Sequence, residues 1–249
     1  MASLLWSRRW GFVEWFTVCV VLIFVYSLTP WADGPGECSL QRWVFRPTSY
    51  VWLTRPWTAL TYALIHVDLL HLVFNLVALA YFYTLAIPLG RWRLMLLIAL
   101  ATISGAFFYT LGAAALSAWG AYYEAYALVG SSSAVFGLCT LNVLLWPGHV
   151  VSERRWGRLR LWHLAMGLLL ISLLGRGNIG GLLAHVGGVF AGCVCYWLWD
   201  DGKRSRRREQ DEGECQRLIE QARRSGTHSL SREEREWLKT QKRSPRGSK

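Results

Sequence analysis

The sequence predicts an all-α membrane protein of six transmembrane helices, with a long first loop lying in the membrane interface. Three observations carry that expectation. Of 249 residues, 53% are hydrophobic and 15 are Trp, a composition unlike that of an ordinary soluble domain. Several apolar runs approach the roughly 20 residues that a bilayer-crossing helix needs. The formal charge of +11 is unevenly spread, with 15 of the 27 Lys and Arg at positions 200–249 and most others in short loops. That distribution follows membrane topology and not a nucleic-acid-binding face, so the expected partner is the lipid bilayer and no nucleic acid.

Residues 1–10 form a short N-terminus in which Arg8 and Arg9 precede the apolar run Gly11–Leu28. The run resembles a signal peptide, but it is long, and Thr29-Pro30-Trp31 shows no small-residue cleavage pattern. It reads as a retained first span, with Glu14 close enough to its cytoplasmic end to reach the interface. Residues 29–68 carry Trp31, Trp43, Phe45, Tyr50, Trp52 and Trp57, rings that prefer the headgroup layer, so this loop is expected to be partly embedded.

The second span is expected from about Leu69 to Pro88, with Leu89-Gly90-Arg91 as the turn, and the third from Trp92 to about Ala115. An irregular stretch with Trp119, Tyr122, Tyr123 and Tyr126 leads to a short fourth span, Ser132–Trp146. The fifth, Leu159–Leu174, follows a basic loop with Arg154, Arg155, Arg158 and Arg160, and the sixth is Ile179–Trp199. A six-span core thus covers 11–199.

The N-terminus and the loops 89–93 and 147–160 hold eight Arg, against four (Arg42, Arg46, Arg55, Arg176) on the opposite side. With the basic tail added to the first group, both termini are expected in the cytoplasm. Within the tail, 200–249, a helical hairpin is expected at 213–240, broken at Ser225-Gly226, with Ser231 and Glu234 as a capping box. The six cysteines show neither metal-ligand spacing nor a disulfide framework. They read as small apolar filler, and no metal or cofactor is expected.

The stretch Gly130-Ser131-Ser132-Ser133-Ala134-Val135-Phe136-Gly137 opens the fourth span. One reading is a serine cap followed by small residues that allow close helix packing. The other is a site, because hydroxyls and free N–H groups at membrane depth are costly. His71 and Asn75, four residues apart, share a face of the second span, His66 lies just before it, and His185 sits inside the sixth. Each taken singly is more readily a packing residue bonded to a neighbouring helix.

Depth separates the two readings. If spans two, four and six all run inward, Asn75 and His185 lie six residues, about 9 Å, below the outer face. A fourth span of about 22 Å in a core of about 30 Å starts Ser132 about 8 Å down. Ser132, Asn75 and His185 therefore share one layer of the outer leaflet. A serine hydroxyl attacks only when a base takes its proton, and His185 is the base candidate. The oxyanion that follows is met by the Ser132 N–H at a helix start and by donors from Asn75 and His71. Gly180, Gly181, Ala184, Gly188 and Gly192 give the sixth span a flat face on which the fourth can approach. The expected chemistry is acyl transfer to serine, then hydrolysis.

These residues carry a resemblance. His66…His71-Leu72-Val73-Phe74-Asn75, Gly130-Ser131-Ser132 and Ala184-His185-Val186-Gly187-Gly188 resemble, in order and on successive spans, the motifs of the rhomboid intramembrane serine proteases. The resemblance covers about residues 5–200. It implies a six-helix rhomboid bundle, a Ser132–His185 dyad, an oxyanion hole of Ser132, Asn75 and His71, and Phe136 as an aromatic support for the histidine. It further implies a fifth span acting as a lateral substrate gate and substrates that are single-span membrane proteins cut near the outer end of their helix. The tail resembles that of some bacterial members, and hence the location expected is the bacterial inner membrane.

Ser133 departs from the family, which usually has Gly there, and its side chain would either crowd the oxyanion hole or add a donor to it. No acidic partner for His185 is evident, which fits a dyad. The alternative within the family is a pseudoprotease that binds client helices without cleaving them. Outside it stands a multi-pass transporter or structural protein, which would show paired charges or broken helices at the midplane; the sequence has neither.

Overall fold

The computed structural model describes residues 11–32, 39–119, 127–154, 157–174, 179–199 and 201–231, together with 233, 234, 236 and 238. The chain forms two compact units, 1–198 and 199–249.

In the first unit the apolar runs become helices within a few residues of their expected bounds. Helix α1 spans Phe12–Ser27 and buries Val20 and Phe24 against Leu72. The aromatic connection is more ordered than a loop. It holds α2 (Ser49–Thr54), capped by the Thr48 hydroxyl, and α3 (Thr58–Thr61). Its rings divide between two environments. Trp31, Tyr50 and Trp57 are exposed, whereas Phe45 and Tyr62 are fully buried with Ala106 and Tyr109. Trp52 Nε1 donates to Thr110 Oγ1 at 3.0 Å, so part of this stretch belongs to the core.

Helix α4 (Leu69–Ala86) starts where Asp68 accepts the His71 N–H at 2.8 Å, a side-chain cap on an orphan donor. Pro88 and Gly90, the latter at φ +91°, end it and turn the chain into α5 (Arg91–Ala118). At 28 residues α5 rises about 42 Å.

Helix α6 (Ser132–Leu145) is the centre of the unit. Ten of its 14 residues are buried, because α4, α5 and α8 (Ile179–Leu198) all pack on it. Asn142, which the sequence did not single out, ties it to α4 by donating to the Phe82 carbonyl at 2.9 Å. With its following turn α4, and likewise α5 and α8, is long and apolar enough to cross a bilayer; α1, α6 and α7 (Leu161–Leu174) are shorter apolar helices.

The basic stretch before α7 is not a loop. Val150–Arg154 (β1) and Gly157–Arg160 (β2) pair antiparallel as a two-stranded hairpin. The β-branched start Val150-Val151 is a strand former within an otherwise charged stretch.

The small-residue stripe on α8 serves two neighbours, not the single one expected. A Cβ on Gly188 or Gly192 would strike α6 backbone, at the carbonyls of Ser133 and Gly137 respectively. A Cβ on Gly180 would strike Tyr109 of α5, one on Gly187 would strike α5 backbone at Ser104, and Ala184 packs beside Tyr109 and Ala106. The stripe winds around the helix, so α8 lies in the groove between α5 and α6.

In the second unit a single helix, α9 (Asp201–Ser225), replaces the expected first arm that began at 213. It stops at Gly226, φ +77°. Leu218 and Leu230 are buried. The expected capping box forms: the Ser231 N–H donates to Glu234 Oε2 at 2.7 Å and the Glu234 N–H to Ser231 Oγ at 3.1 Å. Of the expected second arm, 232–240, residues 233, 234, 236 and 238 are helical and the other positions lie outside the described residues.

Candidate active site

The segment ahead of α6 is fixed from both sides. Leu128 pairs with Phe45 by two backbone hydrogen bonds, and the Gly130 N–H donates to the Tyr62 carbonyl at 3.0 Å. Gly130 has φ +99°, a conformation open to glycine and unfavourable for other residues. A Cβ there would also lie 2.6 Å from the His71 ring and 3.4 Å from Asn75 Nδ2. The missing side chain therefore lets His71 and Asn75 close on the backbone two residues before Ser132.

Ser132 is the first residue of α6, where a backbone N–H has no carbonyl one turn back to bond. The preceding Ser131 makes no side-chain cap, so the plain capping reading of the serine cluster does not describe this helix start. Ser132 Oγ lies 2.8 Å from His185 Nε2. The His185 ring stacks on Phe136 with centroids 4.3 Å apart and planes at 18°. Phe136 is one turn after Ser132 on the same helix, so one element carries both the hydroxyl and the platform for the ring that faces it.

Asn75 is buried, and its Nδ2 has no hydrogen-bond partner among the described residues. An amide donor left free in a protein interior is costly unless something charged arrives to use it. His66 is buried just before α4 with its ring edge-on to His71 at 5.0 Å, which fixes the His71 ring from behind.

Ser133 neither crowds this region nor adds a donor to it. Its side chain turns away from the site toward α5, where Tyr62 Oη donates to the Thr102 carbonyl at 2.8 Å and accepts from the Ser133 hydroxyl at 3.1 Å. Successive helical residues point about 100° apart, which is why a neighbour of Ser132 meets α5 instead of the site. Ser133→Gly is expected to cost about 1–2 kcal/mol of stability, from one buried hydrogen bond and helix propensity, while leaving the reactivity of Ser132 within about threefold. Thermal unfolding beside serine-probe labelling checks both.

One neighbour of the site was not read from the sequence. Ser172, on α7, has Oγ 2.6 Å from His185 Nδ1. The available signal was a lone hydroxyl in the otherwise aliphatic run Leu168-Leu169-Leu170-Ile171-Ser172-Leu173.

Geometrically, then, the structure joins Ser132, His185 and Phe136, and sets Asn75 and His71 beside Gly130. Such an arrangement can move a proton from a hydroxyl to a ring nitrogen and offers donors to a developing anion. Among known protein families, the model of the rhomboid domain matches residues 53–200, more than half of the chain. No curated protein matches it.

Proposed function

The chain belongs to the rhomboid family, and we propose that it is an intramembrane serine endopeptidase that hydrolyses single-span membrane proteins. The observation that carries the proposal is the 2.8 Å contact between Ser132 Oγ and His185 Nε2. In the proposed reaction His185 Nε2 takes the hydroxyl proton as Ser132 Oγ bonds to the scissile carbonyl carbon. The carbonyl oxygen becomes an oxyanion, received by the Ser132 N–H, Asn75 Nδ2 and His71. Collapse breaks the C–N bond, and the proton on Nε2 passes to the leaving amine. Water, deprotonated by the same nitrogen, then attacks the acyl-serine, releasing the new carboxyl terminus and restoring the hydroxyl.

Integral membrane placement follows from the family and the apolar helices. Location in a bacterial inner membrane is part of the proposal and rests on the resemblance of the tail, whereas cytoplasmic termini and a dyad in the outer leaflet rest on the arginine asymmetry. The proposed substrates are those whose helix unwinds near that level. No observation favours the non-cleaving alternative, whose one sequence feature, Ser133, bonds Tyr62.

The test is co-reconstitution in liposomes with single-span proteins carrying small residues near the outer end of their helix. New termini that appear with the wild type and not with Ser132→Ala support the proposal. Stable co-purification of uncut clients would favour the alternative. Asn75→Ala is expected to lower kcat about 10²-fold with little change in KM, as for the loss of one oxyanion donor. Initial rates on a cleaved substrate would show this split.

A further inference from the structure

His185 has a second ring nitrogen, and its surroundings are unusual. Nδ1 meets Ser172 Oγ at 2.6 Å, and Ser172 rides on α7, the least buried of the six apolar helices. Of the described α7 side chains only Leu161 is buried; Met166, Leu170, Ile171 and Leu173 are exposed. A hydroxyl on such a helix has little to gain from apolar surroundings. Here it has a specific partner.

We propose that Ser172 is a positioning residue that holds His185 in the tautomer able to accept the Ser132 proton. A neutral imidazole carries one proton. For Nε2 to receive a proton from Ser132 its lone pair must be free, so the ring proton must sit on Nδ1. A donor held there in partly buried, apolar surroundings needs an acceptor, and Ser172 Oγ is the one in place. After proton transfer both ring nitrogens are donors, and the same oxygen then accepts from a charged group, a stronger bond than between neutral partners. With alanine at 172, one ring nitrogen loses its partner. The tautomer with Nε2–H donating to Ser132 Oγ then gains population, and it cannot act as base. A hydroxyl in the position that a carboxylate takes in a Ser-His-Asp triad fits an apolar site, because a charge on α7 would be costly to desolvate.

The effect on rate rests on the proteolytic reading; the effect on the tautomer does not. The two are therefore measured together on full-length protein labelled with 15N-histidine, with the His185 signals identified by their loss in His185→Gln. In the wild type His185 is expected to show a protonated Nδ1 and a bare Nε2. Ser172→Ala is expected to move protonation toward Nε2, to slow fluorophosphonate labelling of Ser132 about tenfold and to shift its pH profile. Ser172→Thr, which keeps the hydroxyl, is expected to restore all three.

An unchanged His185 pattern and unchanged labelling in Ser172→Ala would overturn the inference and leave the protease reading standing. So would equal impairment of the alanine and threonine variants, which would mark a packing role. If the wild type fails to label while the His185 pattern still depends on Ser172, the positioning role holds and the protease reading fails.

Discussion

Ser132→Ala is expected to abolish cleavage of any membrane substrate, lowering kcat by at least about 10⁴-fold while leaving substrate binding intact. The methyl side chain keeps the start of α6 and its free N–H but removes the atom that bonds to the carbonyl. His185→Ala is expected to fall as far, because a hydroxyl without a base is a weak nucleophile. The double variant is expected to be no worse than either single one, since the two groups act as a unit. Cleavage rates in liposomes for the three variants provide the comparison. Additive losses would mean that Ser132 and His185 work separately, against the 2.8 Å contact between them.

The second large effect is expected at Gly188→Ala. A Cβ at 188 would fall on the Ser133 carbonyl, which is helix backbone and has no rotamer by which to move aside. The helices α6 and α8 must then separate or one must shift along the other. The cost is expected at about 1–3 kcal/mol, the range for overpacking a close-fitted contact. Activity is expected to suffer more. His185 is three residues before Gly188 on α8, and Ser132 adjoins Ser133 on α6, so the displacement acts directly on the Oγ–Nε2 distance. A misplacement of about 1 Å is enough for about a 10²-fold loss. Gly167→Ala on α7, where nothing lies within 4 Å, is the control and is expected to leave stability and activity near wild type. Thermal unfolding together with cleavage rates distinguishes this prediction from nonspecific damage, because only Gly188→Ala should lose both.

Much of this geometry was legible before the structure. Asn75 and His185 each lie six residues into their helices, as the span bounds implied, and Ser132 opens α6 as the glycine-framed serines suggested. Continuous apolar runs of this length satisfy their own backbone in a membrane only as helices, so the six apolar helices follow from the runs, whereas α2, α3 and the β1–β2 hairpin do not.

What stayed hidden depends on which way side chains point. Ser133 was read as a neighbour of the oxyanion hole because it follows the nucleophile, yet the helical turn carries it away from the site to Tyr62. The α8 stripe was assigned to one neighbour because spacing gives a face but not its partner. Tyr62 belongs to no motif in the sequence, yet in the structure it anchors the segment before Ser132 through its carbonyl and α5 through its hydroxyl. Ser172 is the clearest case. A single serine in an aliphatic helix has no periodicity, and only tertiary packing brings it to His185 Nδ1.

The central claim is that His185 activates Ser132. Its most direct test is reaction of the detergent-solubilised protein with a fluorophosphonate, followed by peptide mapping of the adduct. A single adduct is expected on Ser132 in the wild type and is expected to be lost in His185→Ala. No adduct in the wild type, under conditions in which an active relative is labelled, would contradict it. So would an adduct on Ser132 that forms as fast without His185.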